Sequence, residues 1–245
     1  MILDILQTIA DLSSSLVNIR MSNINNQINK NMKVYKLICE KNIKNLTKNI
    51  LDQEKYSDLV ILNLDGNRDI TDINKFHNTL KKLVCGTSLI QKGIMSLKVE
   101  NLSIHRNYHI HSVNHLAKTL KILRLWGSMI DNEGLRGLKI TELDISATGV
   151  STYITDINFL KDTLKKLSTN SYNLYSSGIK DLRLEELHIN NNEKIHDINF
   201  LKDTLRILNC SGQYSKLSQD GISCLTKLEY LNMSGNIRIY NVNHL

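Results

Sequence analysis

The sequence predicts an α/β solenoid in which one short strand-and-turn unit is copied along the chain. The nine residues DINFLKDTL occur at 156–164 and again at 197–205, 41 positions later. Weaker copies begin at Asp72 and Ser112, and each copy precedes a stretch of the form L-x-x-L-x-L. Because a less similar unit lies between the two identical segments, the underlying period is about 20–24 residues.

One nine-residue pattern, L-x-x-L-x-L-x-x-N, begins every second unit. It is carried in one copy by Leu184, Leu187, Ile189 and Asn192, and another copy has Thr148 at the Asn position. The alternating units keep the apolar positions and lose the Asn. Apolar residues two apart lie on one face of a strand, so stacked units bury a continuous core behind a parallel sheet.

The pattern resembles the leucine-rich repeat family in its short-repeat form, over residues 58–245. The resemblance implies a leucine-rich-repeat solenoid of about nine units, the last incomplete, with parallel strands on a concave face and short helices or turns on a convex face. It also implies a structural ladder of Asn side chains that accept hydrogen bonds from turn amides. The ladder positions in this sequence are Asn67, Asn107, Asn192 and Asn236.

The convex side of each unit is predicted to hold a short helix of one or two turns. Asp72, Asp156 and Asp197 are suitable N-cap residues directly before an apolar run. Ile157 and Leu160 lie three positions apart and would share one face of such a helix.

Residues 1–57 do not repeat and predict a short α-helical segment. Ile2, Ile5, Leu6 and Ile9 have amphipathic helical spacing, and Val34, Leu37 and Ile38 favour more helix. Residues 2–25, ILDILQTIADLSSSLVNIRMSNIN, are similar to the first half of an F-box, although the proline and the closing tryptophan are missing and Asp4 stands where Glu is usual. That resemblance implies that Ile2, Ile5, Leu6 and Ile9 bind the linker subunit of a ubiquitin ligase through residues 1–50. The alternative is a helical cap that shields the first repeat from water.

Composition favours a cytoplasmic protein. The formal net charge is +7, but the 31 basic residues are interspersed with 24 acidic ones, which is typical of a solvated surface and makes nucleic acid an unlikely partner. The cysteines form no C-x-x-C pair, which favours buried thiols in a reducing compartment. The start of the chain lacks the basic region of a signal peptide, and no apolar run is long enough to cross a membrane.

The chain is rich in Lys, Asn and Ile and is similar to repeat proteins of large DNA viruses. That resemblance would place the protein in host cytoplasm.

Residues between the apolar strand positions are predicted to point toward the concave face. Trp126, the only tryptophan, falls there with Arg124 beside it. Exposed Trp and Arg are the residues most enriched among interface hot spots, although Trp126 could instead pack over the edge of its own unit. The predicted partner-binding residues are His105, Arg124, Trp126, Asp144 and His188.

The sequence predicts no enzyme. It lacks a Gly-rich phosphate loop, an H-E-x-x-H motif and a G-x-S-x-G motif. His105, His109, His111 and His115 lie close in sequence but on different parts of a unit, so neither a metal nor another cofactor is expected. The predicted function is non-enzymatic protein–protein recognition on the concave face. The alternative is an F-box substrate receptor of a cullin-type ubiquitin ligase.

Overall fold

A computed structural model of the chain describes residues 33–38, 46–146 and 153–243. The chain divides into two compact units, residues 1–110 and residues 111–245. In each unit the described residues form short parallel strands that follow one another in chain order. The strands of the first unit are β1 (Lys36–Ile38), β2 (Ile61–Asn63), β3 (Lys82–Cys85) and β4 (Asn101–His105). Those of the second unit are β5 (Ile122–Trp126), β6 (Glu142–Ile145), β7 (Lys166–Thr169), β8 (Glu186–His188), β9 (Ile207–Asn209) and β10 (Tyr230–Asn232).

A single leucine column runs through the strands of the second unit. Leu143 is the register partner of Leu167, which pairs in turn with Leu187. The same position in the flanking strands is occupied by Leu123, Leu208 and Leu231. Leu143 and Leu187 are fully buried, whereas Leu231 in the last strand is half-buried. This column is the predicted spine of the leucine-rich-repeat solenoid, and the fold prediction is confirmed.

The turns opposite the strands are single 3₁₀ turns rather than the expected capped helices. Asp156 does not cap an α-helix; its Oδ1 atom accepts a hydrogen bond of 2.8 Å from the backbone N–H of Asn158. The same contact joins Asp72 to Asn74 and Asp197 to Asn199. A 3₁₀ turn fits because only a few residues separate this point from the next strand. The turns are Glu54–Tyr56, Asn74–Phe76, Gln91–Ile94, Asn114–Leu116, Glu133–Leu135, Asn158–Leu160, Ser176–Gly178, Asn199–Leu201 and Asp220–Ile222.

Consecutive repeats are joined in pairs on this turn side. The Asn158 side chain donates to the carbonyl oxygen of Ser177 at 2.8 Å and accepts from the N–H of Asp181 at 2.8 Å. The neighbouring Gly178 returns a backbone bond, because its carbonyl oxygen accepts from the N–H of Ile157 at 2.9 Å. Corresponding side chains of Asn74, Asn114 and Asn199 donate to the next repeat in the same way. The Asn contact therefore recurs in every second repeat, in agreement with the 41-residue spacing of the identical segments.

The part of the N-terminal segment that the structure describes includes one short helix and one strand. Helix α1 (Lys48–Leu51) begins after Thr47, whose side chain accepts from the N–H of Ile50. The helix predicted around Val34, Leu37 and Ile38 is wrong: Lys36–Ile38 is strand β1, which pairs in parallel with β2. Leu37 is buried and pairs with Leu62, so its apolar spacing serves a strand. The division at residue 57 stays a prediction, and Ile2, Ile5, Leu6 and Ile9 lie outside the described residues.

Candidate partner-binding surface

The solvent-facing side of the strands, which is the predicted concave face, carries polar and aromatic side chains between the buried leucines. Trp126 ends β5 and leaves 43% of its surface exposed, although the flanking Leu123 and Leu125 are buried. Trp126 is exposed beside a buried leucine because the Cβ atoms of successive strand residues point to opposite faces of the sheet. A tryptophan exposed to this extent supplies a large amphipathic contact surface.

Arg124, also on β5, is already engaged by an acidic residue of the next strand. Its Nη2 atom lies 2.6 Å from Oε1 of Glu142 on β6, and both side chains are largely covered. This contact orients the guanidinium before any partner arrives. Asp144, two residues after Glu142, uses Oδ1 to accept a 2.9 Å hydrogen bond from the N–H of Ser146. Both predicted contact residues are therefore held in place by the chain itself.

His188 belongs to a second ionic cluster, formed with Glu186 and Lys166. Oε1 of Glu186 lies 2.8 Å from Nζ of Lys166 and 2.5 Å from Nε2 of His188. Burial opposes ionisation of Glu186, but the hydrogen bonds from Lys166 and His188 outweigh it and hold the pKa of this carboxyl below its ordinary value. The cluster links β7 to β8 and is a fixed ionised element of the strand face.

His105 lies in the first unit, at the end of β4. Its Nδ1 atom is 3.4 Å from Oδ2 of Asp65, which follows β2. His105, Arg124 and His188 thus each face a carboxylate of their own unit. On the strand face of the second unit, Arg124 and Lys166 are each paired with a glutamate of the neighbouring strand.

The four Asn side chains of the expected ladder are buried and bonded in the turns that follow the strands. Oδ1 of Asn192 accepts from the N–H groups of Lys194 and Ile195, each at 2.8 Å. Oδ1 of Asn107 accepts from His109 and Ile110 in the same way, and its Nδ2 donates to the carbonyl oxygen of Gly86 at 2.6 Å. The remaining ladder residues, Asn67 and Asn236, make equivalent contacts. These side chains satisfy turn amides, including those of the buried Ile70, Ile110 and Ile195.

Sequence reasoning missed five exposed tyrosines in the loops of the second unit, which we call together the tyrosine edge. Its members each expose half or more of their surface and follow the strands within the loops: Tyr153, Tyr172, Tyr175, Tyr214 and Tyr240. Each lies within three positions of a buried loop residue such as Leu174 or Leu217. Nζ of Lys194 lies 5.7 Å from the centre of the Tyr175 ring. The signal available in the sequence was tyrosine itself, which occurs repeatedly in the segments between the strands of the second unit.

The described residues contain no group of three or more His, Cys, Asp or Glu side chains that could hold a metal ion. Cys85 and Cys210 are buried, and Cys224 is exposed. Burial raises the pKa of the Cys85 thiol, and burial raises the pKa of Cys210 to about 11 despite a hydrogen bond from Asn236. None of the described helices is long and apolar enough to cross a membrane.

The sequence matches no protein-family model and no curated protein. Among solved structures, the chain is similar to an internalin from Listeria monocytogenes, with a TM-score of 0.53 and 20% sequence identity. The similarity covers 81% of this chain and 60% of that one, so the chain spans less than two thirds of the internalin. The likeness supports the leucine-rich-repeat solenoid fold.

Proposed function

We propose that the protein is a non-enzymatic recognition module that binds a protein partner through Trp126 and the tyrosine edge of its second unit. The observation that carries this proposal is the exposure of these six aromatic side chains, each of which leaves 43% or more of its surface open to solvent. Tyrosine and tryptophan offer a rigid apolar surface with a polar group at its end, and they lose little conformational entropy on binding.

The charges of the strand face support a role in orientation rather than in affinity. Arg124 and His188 already contact Glu142 and Glu186, so a partner that used them would have to share or displace those carboxylates. Paired charges of this kind exclude mismatched partners more than they add binding free energy. Affinity is therefore expected from the aromatic groups, and selectivity from Arg124, Asp144 and His188 of the second unit, whereas His105 of the first unit stays a predicted contact residue.

The test starts from a partner isolated on the immobilised full chain and then purified. Calorimetry with the purified partner would compare wild type with Trp126→Ala and with the double variant Tyr172→Ala/Tyr214→Ala. We expect each to lower the affinity about tenfold or more, as for aromatic hot spots. The control is Lys202→Ala, on the turn side of the second unit. Unchanged affinity in both aromatic variants would place the binding surface elsewhere.

The finer proposal, an F-box receptor acting in the cytoplasm, is supported by the sequence of residues 2–25 alone. Deleting residues 1–50 would also remove β1, which pairs with β2, so a point variant tests this idea more cleanly. Leu6→Asp should abolish retention of the purified ubiquitin-ligase linker subunit, and Asp4→Asn should preserve it. Absence of any retention by the wild-type chain would leave the helical cap as the role of this segment.

A further inference from the structure

The strand face of the second unit changes from ionic to uncharged between β8 and β9. In the first row of solvent-facing side chains, the register partners on β6, β7 and β8 are Glu142, Lys166 and Glu186. The row continues with Ile207 on β9 and Tyr230 on β10. Ile207 is half-buried, and Tyr230 exposes 55% of its surface. A row of ionic side chains therefore ends in two adjacent side chains without charge.

The second row, two residues further along each strand, ends in two neutral amides. His188 on β8 is the register partner of Asn209 on β9, which pairs with Asn232 on β10. Both asparagines are half-buried. Residues two apart in a strand share a face and lie about 7 Å from each other, whereas neighbouring strands lie about 5 Å apart. Ile207, Asn209, Tyr230 and Asn232 thus form a compact uncharged group, which we call the neutral platform.

The two amides of the neutral platform have a fixed orientation. Oδ1 of Asn209 accepts a 3.3 Å hydrogen bond from the N–H of Ser211, and Oδ1 of Asn232 accepts a 3.1 Å bond from the N–H of Ser234. Because only the oxygen of an amide can accept from an N–H group, these contacts decide which end of each side chain faces the backbone. The Nδ2 groups are turned away, and neither donates a hydrogen bond to any residue that the structure describes.

The contact with the backbone does not by itself require asparagine. Asp144 on β6 makes the same contact, since its Oδ1 accepts from the N–H of Ser146 at 2.9 Å. Compared with an aspartate, Asn209 and Asn232 each remove a negative charge and add a group with two donor hydrogens. The turn after the strand accounts for the Oδ1 atoms and leaves the pair of Nδ2 donors for another molecule.

We propose that the neutral platform binds an extended, uncharged peptide segment of the protein partner. Backbone carbonyl oxygens of the segment accept hydrogen bonds from Nδ2 of Asn209 and Asn232, and one of its apolar side chains packs on Ile207 and Tyr230. An extended chain suits this arrangement because its carbonyl groups and side chains project at short regular intervals. A charged side chain would lose hydration against Ile207 and Tyr230 without an ionic partner on the platform itself. The segment belongs to the partner of the recognition function proposed above, on which the inference rests.

Selection from a phage-displayed library of random linear peptides on the immobilised full chain tests the proposal. We expect enrichment of uncharged peptides that contain a large apolar residue, and calorimetry with a synthetic copy of an enriched peptide then measures its affinity. The double variant Asn209→Asp/Asn232→Asp keeps both Oδ1 acceptors, as Asp144 does, and removes both Nδ2 donors. It should lower the affinity about tenfold or more, because two hydrogen bonds are lost and two charges face the peptide carbonyls. Tyr230→Ala should lower it about fivefold or more through the lost apolar contact.

The matched control is Asn63→Asp on β2 of the first unit. Oδ1 of Asn63 accepts from the N–H of Asp65 at 2.8 Å, so the same substitution is made in the same local structure outside the platform, and peptide affinity should not change. No enrichment, enrichment of charged peptides, or equal peptide affinity in wild type and the double variant overturns the proposal. An equal loss in Asn63→Asp overturns it as well.

The purified protein partner separates failure of the neutral platform from failure of the recognition function. Trp126 and the tyrosine edge lie outside the platform, so their variants and the double variant Asn209→Asp/Asn232→Asp test different groups. Loss of partner binding in Trp126→Ala with full binding in the double variant would reject the platform and keep the recognition function. Loss in the double variant alone would keep the platform and reject the role of the aromatic residues.

Discussion

Gly178 packs against Thr155 so closely that a Cβ atom at Gly178 would lie 2.2 Å from the Thr155 carbonyl oxygen. Gly93, Gly134 and Gly221 approach the carbonyl oxygens of Thr71, His111 and His196 equally closely. In every case the glycine belongs to the second repeat of a pair, and the carbonyl oxygen belongs to the first. Close backbone approach, and not a special backbone dihedral angle, therefore requires glycine at these positions.

Gly178→Ala should destabilise the protein by about 1–3 kcal/mol, because the added methyl group meets backbone that cannot move aside without disturbing the Ile157–Gly178 hydrogen bond. Urea unfolding followed by circular dichroism would measure the change. The exposed neighbour Ser177 is the control, and Ser177→Ala should shift the midpoint very little. Equal midpoints for wild type and Gly178→Ala would mean that the paired repeats can separate without cost.

Asn192→Leu should lower the free energy of unfolding by about 2–4 kcal/mol. The substitution leaves the N–H groups of Lys194 and Ile195 without the Oδ1 acceptor, and Ile195 is buried. An unsatisfied buried donor costs about 1–3 kcal/mol. Denaturant titration gives the change directly.

The neighbouring Asn191 is an informative comparison for that experiment. Asn191 is exposed but has a φ of 54°, and its side chain lies over Gly212, where a Cβ would come within 2.0 Å of the Asn191 Oδ1 atom. Asn191→Leu is therefore expected to cost about 1–2 kcal/mol through backbone strain alone. Asn190→Leu, at an exposed strand-end position, is the better control, because it removes only one exposed hydrogen bond, from the Ser211 hydroxyl. A cost for Asn191→Leu as large as that for Asn192→Leu would contradict the ladder role of Asn192.

The strand side of the fold could be predicted because its information is local. Leu143, Leu187 and Leu231 recur with one spacing, and a period of two admits only one buried face. The turn side was predicted less well, since an Asp followed by apolar residues serves a 3₁₀ turn and an α-helix equally. The strand at Lys36–Ile38 was missed because three residues carry no periodicity, and its assignment depends on pairing with β2.

The candidate surface was predictable in position but not in chemistry. The alternation of buried and exposed side chains along β5 predicted the face of the strand on which Trp126 and Arg124 lie. The contact of Arg124 with Glu142 could not be predicted in this way, because it depends on the register between β5 and β6. The tyrosine edge was missed because loop lengths differ between repeats, so that its members do not share one column.

The cysteines should differ sharply in reactivity. A thiol reacts as its thiolate, and burial raises the pKa of Cys210 to about 11 and the pKa of Cys85 as well, so both should resist iodoacetamide at pH 8 in the folded protein. Cys224 is exposed and should be alkylated. Peptide mass spectrometry would identify the modified sites, and labelling in urea provides the reference in which all thiols react. Rapid alkylation of Cys210 in the native protein would contradict the packing of β9 on its neighbours.

Glu186 should make the stability of the second unit depend on pH in acid. Its pKa in the folded protein lies below the ordinary value of 4.5, so it stabilises the fold above that pH, and this contribution is lost as the pH falls through the lowered folded-state pKa. The effect is expected to be at most about 1 kcal/mol, since the cluster with Lys166 and His188 is partly exposed to water.

Glu186→Gln should therefore reduce the fall in unfolding free energy between neutral and acid pH. Glu193→Gln is the control and should leave that fall unchanged, because Glu193 forms no ion pair within the described residues. Urea titrations at several pH values provide the measurement, and an identical acid dependence in wild type and Glu186→Gln would show that the cluster is not formed in solution.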